Sequence, residues 1–129
     1  MESFASKLGV PEHEFRVVIG RTRIEYDADK DKRNRKKHGY ALESAVYLFE
    51  ACFAFFSPRR IITSDAFIEK GEVRHMHLAE DTDGTLMKIV TTMRPGEVIR
   101  VLSLRKANRK EVAEFKRVLT RGYVLAEGA

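Results

Sequence analysis

The chain has 129 residues, with 24 Lys and Arg against 19 Asp and Glu for a formal charge of +5, and a length of this order supports one hydrophobic core. With 43% hydrophobic and 33% charged residues, it is too apolar for wholesale disorder, yet its surface must be densely charged. The single Cys52 excludes an internal disulfide and a thiolate metal cage, and the longest apolar run, residues 51–56, is far below the roughly 20 residues a bilayer needs. With no basic segment leading into an apolar core at the amino terminus, neither export nor membrane spanning is expected. A cytoplasmic protein with a polyanionic partner fits this balance.

Residues 1–23 read as an amino-terminal extension, with a short helix ahead of Gly9-Val10-Pro11 and a strand from Phe15 to Ile19. Ile24 to Tyr26 is a short extended segment leading to Asp27, whose carboxylate can accept bonds from the free amides of a helix start. A helix over 28–38 follows, stopped at Gly39, which takes positive φ without steric cost. Lys37 and His38 sit at the negative end of its dipole, so His38 is read as structural. Leu42, Ala45, Val46, Phe49, Phe53 and Phe56 then recur at three- and four-residue steps. That spacing lines one face of a second helix, the main core donor, and Cys52 beside it is read as a buried, inert thiol.

Beyond Ser57-Pro58 the period becomes extended. Ile61 to Thr63, Val73 to Leu78, Leu86 to Thr91 and Val98 to Leu104 are strand candidates, and the short links between them imply antiparallel neighbours. In the last strand Ile99 and Val101 fall on one side and Leu102 and Leu104 on the other, so it should lie centrally with both faces covered. Arg100 and Arg105, five apart, should face opposite sides unless the strand bends. Asn108 can cap a closing helix to about Leu119. The fold class is therefore α+β: two amino-terminal helices packed on a three- to four-stranded antiparallel sheet with a carboxyl-terminal helix, spanning residues 24–120, and a tail at 121–129.

Two basic regions, residues 30–37 and 100–121, bracket a more neutral middle, and the plain account of each is a solvated helix face. Particular residues say more. Tyr26-Asp27, Lys30, Asn34, Lys37-His38-Gly39 and Glu43 resemble the opening signature of BrnT-type toxins. Arg74, Asp83-Gly84 and the run Arg100-Val101-Leu102-Ser103-Leu104-Arg105-Lys106-Ala107 are similar to the second half of that family, in the same order. The resemblance spans residues 24 to 117. It implies a RelE-like fold, a ribonuclease that stops translation as the toxin of a type II toxin–antitoxin system, and neutralisation by a ribbon-helix-helix antitoxin.

Cleaving RNA without a metal requires a base for the 2′-hydroxyl proton, an acid for the leaving 5′-oxygen, and cations around the phosphorane. Arg74, Arg100 and Arg105 match basic positions of the family, and their planar forks suit phosphate. The plainer account of each is a salt bridge to Glu72, Glu97 or Glu111. Lys106, Arg109 and Arg94 are candidates for holding the RNA backbone. His75 and His77 form a His-x-His on one strand face and could supply base and acid, or two metal ligands. No third ligand is evident nearby, so neither metal nor cofactor is expected. Two other readings stand beside the endoribonuclease: a catalytically inactive module of the same fold that binds an antitoxin or other protein, and a DNA-binding regulator using residues 30–37. RNA and an antitoxin are the expected partners, in a homodimer or a hetero-tetramer.

Overall fold

A computed structural model of the chain describes residues 11–18, 20–53 and 59–128, with side chains as far as residue 119. The elements in order are β1 (Arg23–Tyr26), α1 (Ala28–His38), α2 (Glu43–Cys52), β2 (Ile61–Thr63), β3 (Phe67–Glu69), β4 (Glu72–Glu80), β5 (Leu86–Arg94), β6 (Val98–Lys106) and α3 (Arg109–Gly128). Asp27 caps α1 by accepting from the Lys30 amide at 3.3 Å, and Gly39 ends it at φ 80°, as the sequence predicts. No helix among the described residues is long and apolar enough to cross a membrane.

The sheet is six-stranded and mixed, wider than the antiparallel sheet of three or four strands expected from the sequence. Strands β4, β5 and β6 form the antiparallel meander, in the order β1-β6-β5-β4-β2, with β3 also on β4. Strand β1 adds in parallel to β6, pairing Glu25 with Arg100 and Tyr26 with Val101. That contact spans the whole chain between them, so no local turn signal announces it. Strand β3 has three residues and joins β4 through Lys70 and Gly71, both at positive φ. It is too short for a period-2 pattern to register. Beyond Tyr26 the free edge of β6 is closed by a side chain instead: Asn34 Nδ2 donates to the Leu104 carbonyl at 2.9 Å and Asn34 Oδ1 accepts from the Leu104 amide at 3.1 Å.

The expected strand at Phe15 is absent over residues 15–18. Arg16 forks onto Glu97 at 2.7 and 2.8 Å and also donates to the carbonyls of Pro11, Glu12 and Glu14, which curls the segment. Phe15 thereby inserts as a side chain, its ring 6.1 Å from Phe49 and 4.4 Å from His77. Ile19, Phe56 and the helix expected ahead of Gly9 lie outside the described residues.

Two apolar layers sandwich the sheet. On one side Leu42, Ala45, Leu48, Phe49 and Cys52 pack on Ala79, Met87, Ile89, Val101 and Leu104. Burial raises the Cys52 thiol pKa, in line with an inert core cysteine. On the other side α3 lays Phe115 over Leu78 and Leu86. A phenylalanine buried this fully contributes about 1.5–3 kcal/mol, so Phe115 alone goes far toward seating the helix. Among the described side chains, those of α3 cover Leu78 and Leu86 on this face, and the same face also carries a set of charged residues.

Candidate nucleic-acid interface

The positions of the arginines depend on one inserted residue. On β5, Thr91 pairs with Val101 but Val90 pairs with Ser103, leaving Leu102 as an extra residue on β6. Such a bulge shifts strand parity by one. Arg100 consequently stands opposite Thr92 and Arg105 opposite Lys88, and Thr92 and Lys88 share a face of β5. Arg100 and Arg105 therefore point to the same side, correcting the expectation drawn from their spacing. For the same reason Leu104 joins Ile99 and Val101 rather than Leu102.

Arg74 lands there too. His75 pairs with Thr91, so Arg74, one residue earlier, projects to the opposite side, and the Thr92 hydroxyl beside it donates to the Val73 carbonyl at 2.8 Å. Arg94, two residues past Thr92, shares the face. Arg74, Arg94 and Arg100 thus surround Thr92 at one end of the α3 side.

Their partners differ. Arg74 gives Nε to Glu72 at 3.0 Å and Nη1 to Glu69 at 2.8 Å, and its side chain is 12% exposed. Arg100 turns Nε and Nη2 to one oxygen of Glu25, at 2.9 and 2.7 Å. That pair is open to water, with side chains 32% and 44% exposed. Arg94 is exposed and has no ion pair among the described residues.

Arg105 does not belong with them. Its β5 partner is four residues from that of Arg100, roughly 13 Å along the strand. Both its Nη atoms lie 2.8 Å from the two oxygens of Glu111, a bidentate clamp. Glu111 also accepts from the Asn108 amide at 2.8 Å while Asn108 Oδ1 accepts from the Glu111 amide at 2.9 Å, a reciprocal capping box at the start of α3. Burial opposes ionisation of Glu111, but the bonds from Arg105 and the Asn108 amide, with the charges of Arg105 and Lys88, outweigh it and hold the pKa at about 2. Arg105 is therefore an anchor for α3, the salt bridge that was its plainer account.

The two histidines occupy the other face. His77 is fully buried, Nδ1 lying 2.9 Å from the Thr63 hydroxyl and Nε2 2.7 Å from that of Thr91. Burial first, and the neighbouring His75 second, lower its pKa to about 3. His75 is 1% exposed, neither ring nitrogen has a hydrogen-bond partner among the described residues, and burial again lowers its pKa. The thickness of the sheet lies between them and Arg74 or Arg100, so the structure does not bring together the histidines and arginines that the sequence reading combined. Lys106 opposes the core residue Met87 and so also projects away from Arg100. Arg109 is exposed in the first turn of α3. Glu25 escaped the sequence reading; only the parallel register of β1 brings it to Arg100.

The family model described as the ribonuclease toxin BrnT of type II toxin–antitoxin systems matches residues 26–111. The chain belongs to the BrnT family. It is the ribonuclease toxin of a type II system, with RNA as target and an antitoxin as partner, which selects among the three readings. The BrnT match covers Arg74, Arg94, Arg100 and Arg105, while residues 11–18 with Phe15 lie outside it. The crystal structure of the Brucella abortus ribonuclease toxin BrnT is similar at a TM-score of 0.48, with 23% identity over 68% of this chain and 99% of that chain. No curated protein matches the chain.

Proposed function

We propose that RNA is held and cut around Thr92, with Arg100 and Glu25 as the reacting pair and Arg74 and Arg94 gripping the adjoining phosphates. The cross-strand pair Arg100–Glu25 carries this reading, because it sets a partly exposed carboxylate against a partly exposed guanidinium on a face that also holds Arg74 and Arg94. In the reaction the 2′-oxygen attacks the neighbouring phosphorus and the bond to the 5′-oxygen breaks. Glu25 accepts the hydroxyl proton. Arg100 balances the charge that builds on the non-bridging oxygens, and water on this open face returns a proton to the departing 5′-oxygen. The products are a 2′,3′-cyclic phosphate and a 5′-hydroxyl, formed without a metal ion.

The ion pair between Arg100 and Glu25 does not oppose this. Exposed pairs contribute only about 0–1 kcal/mol, so a phosphate can displace Glu25 from one edge of Arg100 at little cost. A ribbon-helix-helix antitoxin that lays an acidic segment across these arginines would neutralise the toxin by occupying the phosphate positions. Such a partner would meet helices packed on a mixed sheet, an arrangement we read as RelE-like.

The test is cleavage of RNA by purified, antitoxin-free protein in chelator, with analysis of the product ends. Cyclic phosphate ends are expected, abolished by Arg100→Ala and by Glu25→Gln in folded protein. RNA left intact at high protein concentration, or unimpaired cutting by both variants, would overturn the proposal.

A further inference from the structure

The row of cross-strand neighbours that starts at Glu25 and Arg100 and passes through Thr92 to Arg74 does not stop there. On β3, Phe67 lies directly opposite Arg74. Directly opposed residues of an antiparallel pair leave the sheet on the same side with Cβ atoms about 5 Å apart. Phe67 therefore stands on the phosphate-binding face as the next side chain beyond Arg74. Its exposure is 36%, and it stacks on no other ring among the described residues, whereas Phe15, Phe49 and Phe53 pack together. Among the described residues strand β3 pairs only with β4, so its outer edge leaves this ring accessible from the side.

An exposed phenylalanine is by itself unremarkable. A broad apolar patch would suggest a protein partner, but alternation sends the neighbouring Ile68, 76% exposed, to the opposite side of the strand. Only a single flat ring remains next to Arg74. An isolated aromatic flanking a row of phosphate-binding cations is the arrangement by which single-stranded RNA is held: the cations follow the backbone while an unpaired base lies on the ring.

We propose that Phe67 is a nucleobase-stacking subsite, receiving a base one nucleotide removed from the linkage held at Arg100. This rests on the RNA-binding reading of the arginine face and adds to it a preference for unpaired RNA. A duplex keeps its bases in its own stack and has none to offer. Stacking tolerates any base and favours purines for their larger overlap, so the subsite selects strandedness more than sequence.

The experiment uses the full chain and a 2′-O-methyl oligoribonucleotide, which cannot be cut, in an intact form and in forms with one abasic position. The chain has no tryptophan, so Phe67→Trp installs a unique fluorophore at the subsite. Its emission should be quenched by the intact strand and by all abasic forms but one. Phe67→Leu, which keeps apolar bulk without the ring, should bind the intact strand about tenfold more weakly. It should show an unchanged salt dependence and no further loss on that same abasic form. Arg100→Ala in parallel should weaken binding and lower the salt slope.

If Phe67→Leu binds as the parent does while Arg100→Ala is weakened, the stacking subsite is wrong and the arginine face stands. If neither is weakened, both fail. Equal losses for Phe67→Leu on intact and every abasic strand would also sink the subsite, since they would mark Phe67 as merely structural or protein-facing.

Discussion

The two faces of the central sheet handle polar side chains in opposite ways. Beneath α2 and residues 11–18, the imidazoles of His75 and His77 are sealed among phenylalanine rings, and burial holds them in their neutral form. On the α3 side, beyond the reach of Phe115, Arg100 and Glu25 keep their charges in contact with water. His77, having lost solvent, is committed to Thr63 and Thr91, because giving one up leaves an unsatisfied polar atom at a cost of about 1–3 kcal/mol. A half-exposed ion pair can trade its partner for a phosphate at almost no cost. Histidine is chemically the more versatile residue, yet here the histidines are buried, and the proposed chemistry falls to the open Arg100. Arg105 shows the same rule within one face, since its clamp on Glu111 commits it to α3.

The largest expected effect would break this comparison outright. Arg100→Ala should lower kcat/KM for RNA on the order of 10²–10³-fold with an unchanged melting temperature; a variant that still cuts RNA would show that the open face is not the reactive one. On the sealed face, His77→Ala should cost roughly 2–4 kcal/mol in denaturant unfolding, while the molecules that remain folded cleave within about twofold of the parent rate. Loss of cleavage at full stability would return His77 to the chemistry.

Acid separates the groups further. His77 binds a proton more readily unfolded, at a pKa of 6.5, than folded, at about 3, so stability is complete above pH 6.5 and falls as the pH drops toward 3. His77 contributes at most about 1.4 kcal/mol per pH unit to that limb, His75 adds to it in the same direction, and His77→Leu should make it shallower. Glu111, lowered from 4.5 to about 2, adds stability that is present above pH 4.5 and lost below it, a second limb that Glu111→Gln should remove. At neutral pH, Glu111→Ala should cost about 1–2 kcal/mol through the capping box and clamp. Arg105→Ala should add less than its own single cost on top of it, which a double-mutant cycle reads directly. The smallest effect belongs to Arg94→Ala, expected to weaken RNA binding a few-fold and reduce the salt slope by about one.

Much of the architecture was legible along the chain. Asp27 and Gly39 mark both ends of α1, the three- and four-residue spacing of Leu42, Ala45 and Phe49 marks α2, and the turn residues around Gly84 and Gly96 delimit the meander. Each of those signals is local, acting within a few residues. The site was legible only as a set of residue types. The His-x-His spacing correctly puts both imidazoles on one face, but period-2 alternation holds no information on which face is solvated, and that decided against them.

By itself the sequence determined α1, the core face of α2, the meander, the cap at Asn108 and, through its signature residues, the family, whereas α3 runs on to Gly128 past its expected end near Leu119. Tertiary structure alone decided which charges stand together. The bulge at Leu102 turned Arg100 and Arg105 to the same side, and the parallel seat of β1 delivered Glu25 to Arg100. The insertion of Phe15 closed the histidine side. A bulge arises from how two strands settle against their packed layers, and β1 pairs with β6 across the two helices and most of the meander that separate them in the chain. No short stretch of residues encodes either outcome, because each depends on contacts between segments far apart in the chain.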